Sequence, residues 1–290
     1  MADDLIDVGV LGCGLMGSGI AEVCARKGRN VVVVEADAAA AERGLEKVTR
    51  SLDAAVARGK VTSDERNGAL SLLTVTHDWD ALADRQLVIE AISEDPELKI
   101  GAFERLDAIV TSPDAILASN TSSIPIMRLA TATKRPAQVI GLHFFNPVPV
   151  LPLVELVPSL LTAPATEASA TAFASGVLGK HVIRSKDRAG FVVNALLIPY
   201  LLSAIRMLES GFATAADIDA GMVHGCAHPM GPLALADLIG LDTTMAVADS
   251  MYAEFKEPLY ASPPLLSRMV EAGLLGRKTG RGFHDYRKQA

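Results

Sequence analysis

The feature that most constrains the fold is a glycine-rich segment that lies between an apolar run and a helical pattern. The segment reads Gly12-Cys13-Gly14-Leu15-Met16-Gly17. Residues 6–11 before it form a β-rich run, and apolar residues recur with helical spacing over 18–27 after it. In such a turn the first glycine permits a tight bend, the second lets the backbone approach a pyrophosphate, and the third lets the helix pack on the sheet. The segment predicts a dinucleotide-binding strand–turn–helix unit; a glycine-rich turn in another kind of α/β protein is the alternative.

An acidic residue stands at the end of the second predicted strand. Residues 31–34 are all valine, a pattern typical of a strand buried on both faces of a parallel sheet. Glu35 follows directly. A carboxylate at this place accepts hydrogen bonds from the ribose hydroxyls of NAD and repels the additional phosphate of NADP. We therefore expect NAD as the cofactor, bound by the six residues of the glycine-rich segment and by Glu35.

Strand and helix patterns alternate from residue 6 to about residue 185, which is typical of a doubly wound α/β sheet. Further strands are predicted at 87–92, 115–119, 139–143, 153–157 and 181–183. Helices are predicted at 38–58 and 95–110, and a capping signal at 62–65 opens another. Beyond residue 187 the pattern changes to helices alone, predicted at 191–208, 214–222, 233–252 and 264–272. The sequence thus predicts a doubly wound Rossmann-type domain, residues 1–187, followed by an all-helical C-terminal domain, residues 188–290.

Composition argues against several classes of function. Half of the 290 residues are apolar, so the chain can bury a large core and disorder is not expected. A net charge of −7 argues against general nucleic-acid binding, which requires a basic face. The three cysteines have no paired spacing and are expected to be reduced thiols. His224 and His228 flank Cys226, but this spacing is not a known ligand set, so we expect helix-end packing and no metal site.

The N-terminus and the apolar segments favour a cytoplasmic protein. Asp3, Asp4 and Asp7 give the N-terminus the wrong charge for a secretory or mitochondrial leader. Residues 190–208 resemble a membrane span in their hydropathy. Asn194, Pro199 and Arg206 interrupt this segment, however, and each is costly in lipid. A buried helix of the second domain is the preferred interpretation.

A histidine and a lone carboxylate occupy two neighbouring apolar runs. His143 ends the first run, and Glu155 lies inside the second. An unpaired charge in such a run is costly, so Glu155 is expected to have a partner, and His143 is the nearest candidate. An imidazole oriented by a carboxylate is a general acid/base unit that works near neutral pH. With a nicotinamide cofactor, the pair indicates a dehydrogenase of alcohols and ketones; a core histidine and a structural ion pair are the alternatives.

Seven segments together resemble the L-3-hydroxyacyl-CoA dehydrogenases. They are Ser119-Asn120-Thr121-Ser122-Ser123, His143-Phe144-Phe145-Asn146-Pro147-Val148-Pro149, Leu153-Val154-Glu155-Leu156-Val157, Gly190-Phe191-Val192-Val193-Asn194, Pro229-Met230-Gly231-Pro232, Gly240-Leu241-Asp242-Thr243 and Gly276-Arg277-Lys278-Thr279-Gly280-Arg281-Gly282-Phe283. The resemblance runs from about residue 6 to 286, and the length matches the single-function form without a fused hydratase. It implies interconversion of (S)-3-hydroxyacyl-CoA and 3-oxoacyl-CoA with NAD. Short-chain substrates such as 3-hydroxybutyryl-CoA are expected, in fatty-acid β-oxidation, in butanoate or polyester metabolism, or in aromatic-acid degradation.

The resemblance implies a role for each of four catalytic residues. His143 takes the proton from the 3-hydroxyl as hydride leaves C3, and Glu155 fixes the tautomer and stabilises the imidazolium. Ser122 hydrogen-bonds the 3-oxygen of the substrate close to the nicotinamide, and Asn194 holds the substrate near the reacting carbon. The alternative roles are structural: Ser122 would be a turn or helix-cap residue, and Asn194 would hold its helix to the rest of the domain through hydrogen bonds. Ser119 is interpreted in that plainer way, as is Ser123.

The resemblance also implies contacts around the reacting centre. Beside the glycine-rich segment and Glu35, the expected cofactor contacts are Ser122, Glu94, Lys99, Asn146 and Lys278. The expected substrate contacts are Ser51, Arg58, Lys99, Ser122 and Asn194. The family often has lysine where Arg58 stands, so Lys60 is a nearby substitute, and Lys278 reaches either the cofactor or a partner subunit. A solvated surface position is the alternative for Glu94, Lys99 and Arg58.

Two other functions compete with this one. The first is that of a relative acting on free sugar acids, similar to gulonate dehydrogenase; such relatives usually carry His-Pro-Val-Asn-Pro at residues 143–147, so the sequence favours the CoA ester. The second is a non-catalytic NAD-binding protein on the same fold. A homodimer is also expected, because the apolar segments 196–208 and 233–251 exceed what one small helical domain needs and the family dimerises there.

Overall fold

The valine-rich runs form the centre of an eight-stranded sheet. The computed structural model describes residues 5–287. Its strands are β1 (Asp7–Leu11), β2 (Asn30–Val34), β3 (Leu73–Thr76), β4 (Leu87–Glu90), β5 (Ile116–Ser119), β6 (Val139–Phe144), β7 (Leu153–Pro158) and β8 (His181–Arg184). They lie in the order β3-β2-β1-β4-β5-β6-β7-β8, which reverses between β1 and β4. Open α/β sheets bind ligands at such a switch point, beyond the carboxyl ends of the strands. The prediction of a doubly wound Rossmann-type sheet is confirmed.

Helices connect the strands and cover the sheet. They are α1 (Leu15–Arg26), α2 (Ala38–Ala57), α3 (Ser63–Ser71), α4 (Pro96–Ile109), α5 (Ile126–Thr131) and α6 (Pro164–Ala172). Single 3₁₀ turns lie at Trp79–Leu82 and Pro136–Gln138, and a π-helical turn, Phe173–Val177, follows α6. The strands β4, β5 and β6 are buried along their whole length because helices pack over the sheet. These elements form the first of two compact units, Met1–Arg188.

Local sequence signals set the starts of two of these helices. Thr62 accepts a hydrogen bond from the Glu65 amide, while the Glu65 carboxylate accepts one from the Thr62 amide, which completes a capping box at α3. The Asp95 carboxylate caps α4, whose first residue is Pro96. The helix predicted from the capping signal at 62–65 and the helix predicted at 95–110 are both confirmed.

The expected alternation of strand and helix fails between β6 and β7. The eight residues 145–152 that separate them contain no helix, and the two strands pair in antiparallel fashion. A parallel neighbour would need a crossover of about a dozen residues or more, so a connection this short forces the chain to turn back. The antiparallel pairing places His143 directly opposite Glu155.

Apart from the 3₁₀ and π-helical turns, one strand and two α-helices of this unit were not predicted from the sequence. They are β3, α5 and α6. β3 is an edge strand that is only partly buried, so it lacks the continuous apolar run that marks the central strands. The helices α5 and α6 are six and nine residues long, too short for a helical period to stand out.

The second compact unit, Ala189–Ala290, is mainly helical where the structure describes it. Its helices are α7 (Val193–Glu209), α8 (Ala215–Cys226), α9 (Pro232–Ile239), α10 (Leu241–Phe255) and α11 (Pro264–Glu271), with 3₁₀ turns at Pro258–Tyr260 and Arg277–Thr279. The prediction of one helix over 233–252 is wrong. The helix is interrupted at Gly240, whose backbone φ of 104° lies in a region that favours glycine. The apolar spacing of the sequence nevertheless continues across this interruption. Within the described residues, no helix has the length and hydropathy needed to span a bilayer.

Two buried aspartates fasten the C-terminal segment of this unit. Asp237 accepts hydrogen bonds from the amides of Phe283 and His284, each at 2.9 Å. The Nε2 atom of His284 lies 2.7 Å from Asp219. A side chain at Gly282 would collide with the Asp237 carboxylate, so the close approach requires glycine. The C-terminal motif seen in the sequence is therefore, in part, a structural clamp.

Candidate active site

His143 and Glu155 form a buried pair at the carboxyl end of β6. The distance between Nδ1 of His143 and Oε2 of Glu155 is 2.7 Å. The glutamate side chain is fully buried, and 8% of the histidine side chain is exposed. An ionised carboxylate only accepts hydrogen bonds, so Nδ1 carries the hydrogen and the imidazole is held in one tautomer. β6 is parallel to β1 and β5, so the carboxyl ends of these strands lie along the same side of the sheet. The histidine–glutamate pair therefore lies on the side from which the glycine-rich turn and the Ser122 loop also emerge.

Neighbouring groups fix the end of β6 from which the histidine projects. Asn120, in the loop after β5, accepts a hydrogen bond of 2.9 Å from the Phe144 amide. The ring of Phe145 lies 4.6 Å from the imidazole, centroid to centroid, at an interplanar angle of 56°. The sequence gave Asn120 no role. Its side chain, however, links the loop after β5 to the end of β6, beside His143.

The loop after β5 is organised around one carboxylate oxygen of Glu94. Oε1 of Glu94 accepts hydrogen bonds from the Thr121 hydroxyl at 2.6 Å and from the Ser122 amide at 2.8 Å. The Ser122 hydroxyl, the Ser123 amide and the Ser123 hydroxyl donate to the same oxygen, each at 3.2 Å. The structure therefore brings together Glu94 and Ser122, two of the residues expected beside the cofactor.

The Glu94 carboxylate is stabilised in its charged form. Burial opposes the charge, but the Lys99 ammonium and the hydrogen bonds from Thr121 and Ser122 outweigh this effect. They hold the pKa of Glu94 below its ordinary value of 4.5. Since 35% of the side chain is exposed, the carboxylate both organises the loop and remains in reach of a ligand.

Lys99 lies beside Glu94, but its ammonium is enclosed. Its side chain is only 1% exposed, and its Nζ atom lies 2.6 Å from Oε1 of Glu90 and 3.2 Å from Oε2 of Glu94. An ammonium enclosed by two carboxylates does not serve a CoA group, so the expected substrate contact of Lys99 is corrected, as is its solvated alternative. Ser119, expected to be a plain turn residue, is also fully buried and donates a 2.6 Å hydrogen bond to Oε2 of Glu90.

Glu90 is, besides Asn120, a residue close to the site to which the sequence gave no role. It is the lone charge in the apolar run 87–92, which is the same signal that marked Glu155. Its main partner, Lys99, lies nine residues further on, in α4. A separation of nine residues does not predict a contact unless α4 is known to pack back against the strand.

The glycine-rich turn has the shape that a dinucleotide requires. Gly12 has a φ of 92°, and a side chain at Gly17 would collide with the Gly12 carbonyl. Among the described residues, no atom outside Gly14 and its two chain neighbours lies within 4 Å of the point where a Gly14 side chain would begin, which leaves the backbone open to close approach. The first turn of α1, described in full, contains no acidic residue, so its amides and dipole favour a phosphate. These residues fit the diphosphate of NAD.

Glu35 stands beside this turn, as the sequence predicts. Its Oε1 atom accepts a 2.6 Å hydrogen bond from the Cys13 amide, and Lys47 donates a 3.3 Å hydrogen bond to the Cys13 carbonyl. Burial, followed by the charge of Glu35, raises the pKa of the Cys13 thiol to about 11. The thiol therefore stays protonated, and the part of Cys13 offered to a ligand is its backbone.

The expected CoA contacts on α2 lie at the surface. Ser51 and Arg58 are both exposed and seven residues apart, which places them on one face of the helix and its C-terminal end. Lys60 is exposed just beyond them. Asn146, expected beside the cofactor, is exposed in the segment after β6.

Two expected contacts belong to the second unit. Asn194 is half-buried in the first turn of α7. The Nζ atom of Lys278 lies 2.6 Å from both carboxylate oxygens of Asp242, at the start of α10. Burial opposes the charge of Asp242, but the hydrogen bond from Lys278 prevails and lowers the pKa of Asp242. Asp242 thus fixes the position of the Lys278 ammonium.

Of the two histidines around Cys226, His228 takes part in packing at the end of α8, whereas His224 is exposed. Nδ1 of His228 lies 3.1 Å from the Tyr200 hydroxyl, and Ala227 ends the helix in the left-handed region. Over residues 5–287, no three His, Cys, Asp or Glu side chains are grouped as a metal ion would require.

Comparison with known proteins places this geometry in context. The family model described as 3-hydroxyacyl-CoA dehydrogenase, NAD binding domain, matches residues 7–188, and the model of the C-terminal domain matches residues 190–286. A 3-hydroxybutyryl-CoA dehydrogenase of Mycobacterium tuberculosis is 61% identical over 286 residues, 99% of this chain and 100% of the relative. The crystal structure of M. tuberculosis FadB2 has a TM-score of 0.96 at 61% identity, covering 97% of this chain and 99% of its own. That of (S)-3-hydroxybutyryl-CoA dehydrogenase PaaH1 from Ralstonia eutropha has a TM-score of 0.92 at 45% identity, covering 98% and 99%.

A dinucleotide-binding sheet that carries a histidine–carboxylate pair on its ligand-binding edge is typical of nicotinamide-dependent dehydrogenases. The chain belongs to the 3-hydroxyacyl-CoA dehydrogenase family, and it is an NAD-dependent oxidoreductase of that family.

Proposed function

We propose that this protein interconverts (S)-3-hydroxyacyl-CoA and 3-oxoacyl-CoA with NAD, and that 3-hydroxybutyryl-CoA is its main substrate. The observation that carries the proposal is the 2.7 Å contact between His143 and Glu155 on the edge of an NAD-binding sheet. The short chain length is supported by relatives named for 3-hydroxybutyryl-CoA, at 61% and 45% identity. A reaction of this kind would serve fatty-acid β-oxidation or butanoate metabolism.

The proton is handled by the imidazole of His143. In the oxidative direction Nε2 accepts the proton of the 3-hydroxyl, since Nδ1 is bonded to Glu155. Bound NAD supplies the acceptor for the hydride that leaves C3. The Glu155 carboxylate stabilises the imidazolium formed in this step, and in the reductive direction the same nitrogen returns the proton to the ketone. Proton transfer by a positioned side chain contributes about 10²–10⁴-fold in rate.

Ser122 orients the 3-oxygen of the substrate in this proposal. Its amide is held by Glu94 at 2.8 Å, whereas its hydroxyl makes a longer contact of 3.2 Å with the same oxygen. A hydroxyl rotates freely about its bond to carbon, so it can turn from the carboxylate to donate to a substrate oxygen. Asn194 stays a proposed substrate contact.

Most of the proposed cofactor and CoA contacts come from residues of the first unit. The glycine-rich turn and the start of α1 hold the diphosphate, and Glu35 binds the ribose hydroxyls. Glu94 and Asn146 are assigned to the nicotinamide side, and Lys278 remains a proposed cofactor contact. Ser51 and Arg58 are assigned to CoA, with Lys60 beside them, while Lys99 supports Glu94.

The experiment that tests the proposal follows the absorbance of NADH as acetoacetyl-CoA is reduced. Rapid turnover is expected with NADH and the CoA ester, and much slower turnover with NADPH or with free acetoacetate. Activity on free acetoacetate or on gulonate, with none on the CoA ester, would move the protein to the sugar-acid branch. NAD binding without turnover of any of these compounds would instead mark a non-catalytic protein.

We also propose that the protein is a cytoplasmic homodimer that associates through its helical domain. Leu196, on α7, is 74% exposed, and Phe212, just after α7, is 79% exposed, which is unusual for large apolar side chains. Light scattering at micromolar concentration should report twice the monomer mass. A monomer at that concentration would contradict the dimer.

A further inference from the structure

One buried carboxylate beside the site has no part in the reaction described above. Glu90 is the last residue of β4, paired in register with Leu11 of β1 on one side and with Ser119 of β5 on the other. It therefore lies at the switch point of the sheet, at the carboxyl ends of the strands where sheets of this kind bind ligands. Its side chain is fully buried, and a buried charge is costly unless it is paired and hydrogen-bonded. An apolar residue would suit this strand better if packing were its purpose.

The first connection from Glu90 to the site passes through Lys99. Oε1 of Glu90 lies 2.6 Å from the Lys99 ammonium, which in turn lies 3.2 Å from Oε2 of Glu94. The other oxygen of Glu94 accepts the hydrogen bonds of the Ser122 loop. Lys99 thus joins a fixed carboxylate in the sheet to the carboxylate that orders the loop.

The second connection passes through the backbone of the loop itself. The Ser119 hydroxyl donates to Oε2 of Glu90 at 2.6 Å and accepts a 3.2 Å hydrogen bond from the Thr121 amide. Oε1 of Glu90 also accepts a 2.8 Å hydrogen bond from the Ile92 amide, in the segment that leads to Glu94. One carboxylate therefore holds the two loops that leave β4 and β5.

We propose that Glu90 is a positioning residue of the dehydrogenase, which acts through Lys99 and Ser119 to hold the Ser122 hydroxyl where it meets the 3-oxygen of the substrate. Glu90 touches neither substrate nor cofactor in this role. The inference rests on the proposed function for its catalytic consequence, and on the hydrogen bonds alone for its effect on the loop. A group misplaced by about 1 Å can cost about 10²-fold in rate, so a device that fixes this loop is of value to the reaction.

A double-mutant cycle between Glu90 and Ser122 tests the proposal. Glu90→Gln keeps the shape of the side chain but removes its charge and one acceptor. In the native background it should lower kcat/KM by about 10-fold or more, and in a Ser122→Ala background by less than about 3-fold, because the group being positioned is already absent. Glu22→Gln is the matched control: Glu22 is 1% exposed and paired with Arg26 on α1, away from the loop. It should change kcat/KM by less than about 2-fold in both backgrounds.

Backbone amide exchange of residues 119–124 gives a second readout that does not depend on activity. Exchange should be faster in Glu90→Gln than in the native protein and in Glu22→Gln. If the native protein turns over the CoA ester, but the effects of Glu90→Gln and Ser122→Ala are additive, the inference is overturned and the proposed function stands. If no hydroxyacyl or oxoacyl substrate is turned over, the proposed function fails, and faster amide exchange would still support the structural part of the inference.

A milder variant covers the case in which Glu90→Gln does not fold. Ser119→Ala removes one donor to Glu90 and the acceptor of the Thr121 amide, without leaving a buried charge unpaired. It should show the same non-additivity with Ser122→Ala, at a smaller magnitude of about 3-fold. Additive effects together with unchanged amide exchange in 119–124 would overturn the inference on this variant alone.

Discussion

Two buried carboxylates, Glu155 and Glu90, occupy apolar strands of the same sheet but differ in their partners. Glu155 faces an imidazole, which can gain or lose a proton near neutral pH, at 2.7 Å. Glu90 faces the Lys99 ammonium at 2.6 Å, and this ammonium also lies 3.2 Å from the Glu94 carboxylate. The first pair is suited to move a proton, and the second is suited to hold its surroundings still. An identical sequence signal, a lone acid in an apolar run, thus arises from two different functions.

The largest expected effect separates the two pairs by chemistry. His143→Ala should lower kcat by roughly two to four orders of magnitude, because no other group takes the proton of the 3-hydroxyl. The affinity for NADH, measured by fluorescence titration, should stay nearly unchanged. Near-normal turnover in this variant would remove His143 from the mechanism and the contrast with Glu90 along with it.

This contrast also shows how far the sequence could lead. The glycine-rich turn, the buried strands and Glu155 were identified because each signal is local: a motif, an apolar run or a charge out of place. The partner of Glu90 could not be identified in this way, because Lys99 reaches it only after α4 has packed on the sheet. The expectation that Lys99 binds CoA failed for the same reason, since its burial is a tertiary property.

The helical unit gives a second lesson of this kind. The apolar spacing over 233–252 continues through Gly240, so the period alone predicts one helix. The break is set by backbone conformation, φ 104°, and by the close approach of the C-terminal segment around Asp237. Side-chain patterns record which face is buried, but they do not record where two segments must pass close to each other.

The next largest effect is a loss of stability, which we expect for substitutions in the Lys99–Glu90 pair and not for those in the His143–Glu155 pair. Lys99→Met leaves Glu90 without its cationic partner in a fully buried position, and removing one partner of a buried ion pair typically costs about 3–5 kcal/mol of unfolding free energy. Urea unfolding followed by circular dichroism measures this loss. The double variant Glu90→Leu/Lys99→Met, which removes both charges, should recover most of it. Equal losses in the single and double variants would show that packing, not charge pairing, dominates here.

The Glu155 pair should respond less in stability and more in rate. Glu155→Gln removes the negative charge that stabilises the imidazolium, and its amide can present an N–H to Nδ1 and so favour the other tautomer, so kcat should fall by at least about 10-fold. The fall should be smaller than in His143→Ala, and the urea midpoint should move less than in Lys99→Met. A rate equal to that of the native protein would mean that the backbone around β6 orients the histidine without help from Glu155.

The smallest expected effect compares two further carboxyls, whose pKa values are shifted in opposite directions. The pKa of Glu94 is lowered, because the Lys99 ammonium and the loop hydrogen bonds outweigh its burial. Its contribution to stability is present above its ordinary value of 4.5 and is lost as the pH falls through its native pKa. The pKa of Asp187 is raised above its ordinary value of 3.8 by burial, despite hydrogen bonds from the Ile126 and Met127 amides, so its ionised form opposes folding as the pH rises.

Substitution of each carboxyl should therefore change the acid limb of the stability curve with opposite sign. Between pH 5 and about pH 3, Glu94→Gln should make unfolding free energy depend less steeply on pH, since the native state no longer releases a proton there that the unfolded state holds. Asp187→Asn should make the dependence steeper, because it removes a group that binds its proton more tightly in the native state. Glu97→Gln serves as the control, because Glu97 lies three residues after Glu94 and its carboxylate is largely exposed. This variant should leave the pH dependence of the unfolding free energy unchanged. A slope that is not shallower in Glu94→Gln would contradict the lowered pKa of Glu94, and a slope that is not steeper in Asp187→Asn would contradict the raised pKa of Asp187.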